Sequence, residues 1–180
     1  MRSILFTHST QTMYPILSNL LRKRKPEPEI TIHGHEFENY MISLFNRKHF
    51  KLLAWRSVLR TSAEVYDTTQ SYPDLEFQFA DTRKYRFSLK CEWRENFRDE
   101  KVCWSDPGTI RQYLQYQELH SVPMYVAIGI GGAPQNPEKL FVTLLDKVNV
   151  QNEITKSELM QYQRKREHKF RYDVNRRGLV

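Results

Sequence analysis

The chain has 180 residues, enough to bury the core of one domain without staples, and its 28 Lys and Arg against 21 Asp and Glu give a net charge of +7 and a pI near 9.4. That balance suits an anionic partner such as a phosphate backbone, and suits an ordinary basic surface equally well. Cys91 and Cys103 fall in no CxxC or Cys/His spacing, no apolar run approaches the ~20 residues of a membrane-spanning helix, and no secretory pattern opens the sequence, so zinc, disulfide, membrane and export readings drop out and a reducing, cytoplasmic setting is expected.

Residues 1–29 read as an N-terminal helix or arm, with the basic cluster Arg22, Lys23, Arg24, Lys25 and a break at Pro26 and Pro28. A core domain is expected over 30–150. From Gly34 the residues Phe37, Tyr40, Met41, Leu44 and Phe45 recur at three- and four-residue steps, the stripe of a helix packed on one face, and Glu38 lies beside it. Phe50 to Leu59 is apolar and can begin a strand with Trp55 and Val58 inward.

Between Asp74 and Arg94 the period changes to two. Leu75, Phe77 and Phe79 alternate with Asp74, Glu76 and Gln78, and Ala80 to Lys84 reads as a turn, which together predict a β-hairpin. In its second arm Tyr85, Phe87, Leu89, Cys91 and Trp93 share one face, while Arg86, Ser88, Lys90, Glu92 and Arg94 share the other. Thr109 to His120 reads as a helix with Thr109 as N-cap and Pro123 beyond its end. Met124 to Ile130 is a continuous apolar run, as in a strand covered on both faces of a mixed sheet, and Leu140 to Leu145 reads as another strand. Gly129, Gly131 and Gly132 fit a sheet-edge turn better than a phosphate loop, since no helix with GK[ST] follows. Residues 151–180 read as a basic C-terminal helix or tail. His33, His35, His49 and His120 show no zinc-ligand spacing.

The hairpin's polar face carries the chemistry. Mg²⁺ takes one or two carboxylates together with water and phosphate oxygens, and a nearby lysine can stabilise charge developing on phosphate. Asp74 opens one arm, and Lys90 and Glu92 project from the other, so a shared pocket for a divalent ion is expected. The plainer alternatives are a Pro-Asp turn and an ion pair on an exposed sheet.

These residues resemble a family. The helix with Gly34-His-Glu-Phe-Glu38, the Tyr72-Pro73-Asp74 step and the strand Ser88-Leu-Lys90-Cys-Glu92-Trp-Arg94 are similar to the PD-(D/E)xK, restriction-endonuclease-like nucleases in element order over residues 34 to 145. The resemblance implies an α/β core with a mixed central sheet flanked by helices. It also implies a metal-dependent nuclease using Mg²⁺ or Mn²⁺ on nucleic acid, most readily DNA, and a possible homodimer. Carried over by residue, Asp74 is the central metal ligand, Lys90 the catalytic lysine and Glu38 the helix-borne acid, with Glu36 competing if the register differs. Gln112 and Tyr116 match a QxxxY signature, one helical turn apart, expected to contact substrate together with Arg94.

The chain departs from the family pattern at Ser88, where an acid is usual two residues before the lysine. Its acid comes two residues after, at Glu92. Residues two apart share a strand face, so the exchange keeps both groups in the site but moves each by about 7 Å. Either Glu92 still serves as second metal ligand, or the exchange spoils the geometry and leaves a nucleic-acid-binding or assembly module.

Overall fold

The computed structural model describes residues 28–56, 72–80, 85–148 and 152–180. The basic cluster at 22–25, Val58 and most of the hairpin turn lie outside them. Six strands form one mixed sheet in the order β1 (Phe50–Trp55), β2 (Leu75–Phe79), β3 (Arg86–Arg94), β5 (Met124–Ala133), β6 (Asn136–Leu144) and β8 (Gln163–Arg164). All its pairings are antiparallel except β3 with β5, which is parallel. Helix α1 (Pro28–Ser43) covers one face and α2 (Pro107–His120) the other, so the architecture is an α/β sandwich with a central mixed sheet flanked by helices.

The helix opens at Pro28, earlier than the apolar stripe suggests, because proline's fixed φ suits a first turn whose N–H groups lack intrahelical partners. Phe37 and Met41 of α1, with Leu44 and Phe45 just beyond its end, are buried against Phe77, Phe87, Leu89 and Cys91 of the hairpin. Gly129 lets α1 come this close: a Cβ there would lie 2.6 Å from the Phe37 ring. On the opposite face Ile110 and Tyr113 of α2 meet Met124, Val126, Ile128 and Ile130 of β5. That alternation of Met124, Val126 and Ile128 with Tyr125 and Ala127 explains the unbroken apolar run: both sides of this strand are covered.

Two expectations need correction. The N-cap of α2 is Asp106, whose carboxylate accepts the Thr109 N–H at 3.0 Å, with Pro107 in the first turn; Thr109 is itself inside the helix. The C-terminal stretch is no single helix or tail. It forms β7 (Glu153–Thr155), the short helix α3 (Lys156–Met160), β8, and a small hairpin of β9 (Tyr172–Asp173) and β10 (Gly178–Leu179). Strand β7 pairs with β4 (Lys101–Cys103), and Phe170 enters the α1-side core, stacked on Phe45 at 4.4 Å with the Arg164 guanidinium over its ring at 3.6 Å from the centre. Aromatic anchoring outweighs the high charge of this segment.

Gly131 and Gly132 turn the end of β5 into β6 with φ of 73° and 62°, a region costly for residues bearing a Cβ. The Trp93 indole donates to the Gly131 carbonyl, tying the end of β3 to this turn.

Candidate active site

The hairpin register sets the site. Strands β2 and β3 pair Glu76 opposite Ser88 and Leu75 opposite Leu89, which places Asp74, just before β2, level with Lys90. One face of β3 points Phe87, Leu89 and Cys91 into the core beneath α1; the other presents Ser88, Lys90, Glu92 and Arg94 toward the α2 side. Exposure rises along this second face. Ser88 is sealed at 0%, while the side chains of Lys90, Glu92 and Arg94 are 14%, 17% and 40% exposed. From Ser88 onward this face therefore runs from a closed point to an open mouth, with Arg86 before it 35% exposed.

At that mouth Lys90 Nζ donates to Asp74 Oδ2 at 3.0 Å and lies 3.4 Å from Glu92 Oε2. Asp74 Oδ2 also accepts the Cys91 backbone N–H at 2.8 Å. Arg94 donates to the second Glu92 oxygen and, through Nε, to the Cys103 carbonyl at 3.1 Å. Burial pushes the Lys90 ammonium toward its neutral form, but Asp74 first, then Tyr113 and Glu92, overcome this and hold its pKa well above the ordinary lysine value. Lys90 is an ammonium throughout the physiological range.

Glu38 reaches the same region from α1. It is buried, its Oε2 accepts the Trp55 indole N–H at 2.6 Å, and its charge acts with that of Asp74 to raise the Cys91 thiol, which burial already pushes up. Glu36 is half-exposed on the same helix. The histidines flanking Glu38 pack on indoles, His35 against Trp55 at 4.6 Å and His33 edge-on to Trp93 at 5.4 Å.

The two QxxxY residues separate. Gln112 is exposed on α2, whereas Tyr116 is buried and donates its hydroxyl to Glu76 Oε2 at 3.2 Å. Glu76 is a hub that sequence reading passed over. Its carboxylate, 4% exposed, also takes Arg56 at 2.8 Å and Arg86. Arg56 in turn donates to the Pro73 carbonyl at 3.0 Å, and its backbone N–H to the Asp74 carbonyl at 2.9 Å, with its guanidinium over the Tyr72 ring at 5.3 Å. This network fixes the Tyr72-Pro73-Asp74 step. The alternation Asp74, Glu76 opposite Ser88, Arg86 was a signal for half of it; Arg56, brought in from the end of β1, left none.

Glu76 also accounts for Ser88. An acid at 88 would sit fully buried, directly across from the Glu76 carboxylate, and two such charges repel. At 92 an acid stands nearer the open mouth, beside two cations.

The donor set fits the divalent ion that the resemblance implies. Asp74 and Glu92 are hard oxygen donors that converge on one ammonium, so both can converge on one cation, and this chemistry fits Mg²⁺ or Mn²⁺. Among the described residues no group of three or more His, Cys, Asp and Glu stands ready to hold a metal. The fit is thus to an open two-carboxylate site completed by other oxygens, not to an all-protein cage.

No helix of the described residues is long and apolar enough to cross a membrane. No protein-family model matches the sequence, and no curated protein matches it. Among solved structures the chain is similar to Hjc, a Holliday junction resolvase from the archaeal hyperthermophile Archaeoglobus fulgidus, with a TM-score of 0.49 and 11% identity over 71% of this chain and 88% of that one.

Proposed function

We propose that the chain is a nuclease of the restriction-endonuclease-like type, hydrolysing phosphodiester bonds in nucleic acid, with DNA the first substrate to test. The observation that carries this reading is the convergence of Asp74 and Glu92 on the Lys90 ammonium at the open end of a central strand. Asp74 and Glu92 would hold a divalent ion, which when bound supplies Lewis-acid polarisation of phosphate and an activated water. Lys90, fixed as a cation, stabilises negative charge that builds on the phosphoryl oxygens. Arg94, the most exposed member of the row, gives a planar guanidinium at the mouth suited to a phosphate oxygen. Glu38, its Oε2 held by the Trp55 indole N–H on the α1 side, is the helix-borne acid of this reading. The net charge of +7 favours encounter with a polyanion.

The test is cleavage of DNA and RNA substrates, single- and double-stranded, with Mg²⁺ or Mn²⁺. Wild type should cut at least one of them, and Asp74→Asn should lose on the order of 100-fold or more of that rate while remaining folded by circular dichroism. A second reading is favoured by the Ser88 and Glu92 exchange and by the protein donors already on Asp74, Glu92 and Glu38: a binding module that keeps the fold without the chemistry. Tight, salt-sensitive nucleic-acid binding by a protein that cuts none of these substrates would select that reading and reject hydrolysis.

A further inference from the structure

Asp74 is 1% exposed, and one of the groups that cover it is the Lys90 ammonium. Glu92 faces Lys90 with one oxygen and Arg94 with the other. Asp74, Lys90, Glu92 and Arg94 thus touch in a row of alternating sign whose charges cancel. A hydrated dication approaching this row meets little net attraction, and it must also displace an ammonium that is hydrogen-bonded to the carboxylate it seeks.

A phosphodiester changes that balance. Its oxygens accept from lysine and arginine as carboxylates do, Arg94 from the open end of the row at 40% exposure and Lys90 from further in at 14%. Once they turn outward, two carboxylates are left together, repelling each other and attracting a dication. Resting on the nuclease reading above, we infer that nucleic-acid phosphate and divalent cation enter this site as a coupled pair, with Lys90 the group that exchanges its carboxylate partners for phosphate. Reciprocity follows: each ligand tightens the other's binding by the same factor. The site is self-neutralised at rest, and the substrate opens it.

The experiment follows free Mn²⁺ by electron paramagnetic resonance during titration of the folded protein. Its arms are wild type alone, wild type with a short phosphorothioate DNA duplex, that duplex alone as a blank, and Lys90→Met with and without the duplex. Wild type should bind Mn²⁺ at least about ten-fold tighter with DNA than without it, after subtraction of the blank. Lys90→Met should bind Mn²⁺ without DNA more tightly than wild type does, and its gain from DNA should shrink. Should Lys90→Met fail to fold, Arg94→Gln, at the exposed end of the row, should shift Mn²⁺ affinity in the same direction by a smaller factor.

Equal Mn²⁺ affinity of wild type with and without DNA overturns the coupling but leaves the metal site standing. So does a Lys90→Met, or in its place Arg94→Gln, whose affinity in the absence of DNA is no higher than wild type's. Absence of protein-bound Mn²⁺ in every arm, the Lys90→Met arms included, removes the carboxylate site and the nuclease reading with it.

Discussion

Strand β3 presents two unlike faces to two unlike helices. Toward α1 it gives Phe87, Leu89 and Cys91, all nearly or fully buried, with the Phe77 ring stacked on Phe87 at 5.6 Å and the Phe45 ring tilted against it at 5.7 Å. Toward α2 the same nine residues give Ser88 and then Lys90, Glu92 and Arg94, a chain of ion pairs that ends on Asp74. The apolar face gains from excluding water, a term that scales with area and needs no exact partner. The polar face costs solvation for every charge it holds and is stable only while each charge keeps a partner. One face therefore secures the fold, and the other stores charges that a ligand can redistribute.

The sharpest way to break this division is to exchange the expected losses. Phe87→Ala should lower the unfolding free energy by about 3–5 kcal/mol, measured by urea denaturation, because a fully buried ring leaves a cavity. A loss of under about 1 kcal/mol would mean that the α1-side core does not carry the stability assigned to it.

Next in size, Glu76→Ala should cost about 3 kcal/mol by leaving Arg56 and the partly exposed Arg86 without their shared counter-charge. Glu76→Gln, which keeps an oxygen for Arg56 and Tyr116, should cost less. If the two variants were equally stable, the retained oxygen would contribute nothing and the loss would come from the charge alone. The smallest expected effect is at Asp106, away from both faces. Asp106→Ala should cost about 1 kcal/mol at neutral pH through loss of the α2 cap. Hydrogen bonds from Thr109, side chain first and backbone second, hold the Asp106 carboxyl below its ordinary value of 3.8, so the carboxylate's contribution is present above that value and fades as pH falls through the folded one. The difference between wild type and Asp106→Ala should accordingly narrow in acid.

What was legible in the sequence follows the same division. Period-two alternation gave the hairpin and the sharing of faces, because a strand's side chains alternate whatever their distant partners are. Asp74, Lys90 and Glu92 come together as expected from that alternation and the adjacency of the two arms. The Glu76 hub was illegible because Arg56 and Tyr116 lie 20 and 40 residues away. The C-terminal segment was read as helix or tail because its charges mask Phe170 and Tyr172, whose ring contacts with Phe45 and Phe79 exist only in three dimensions. Thr109 takes the cap in the sequence pattern, though an Asp followed by Pro, as at Asp106-Pro107, is also how a helix begins.

The central claim is that Asp74 and Glu92 form one cation site opened by phosphate. Anomalous diffraction from a co-crystal with Mn²⁺ and a short DNA duplex tests it most directly. An anomalous peak is expected against oxygens of both carboxylates, with Lys90 Nζ turned to a phosphate. A peak elsewhere, or DNA bound while Lys90 still bridges the two acids, would contradict it.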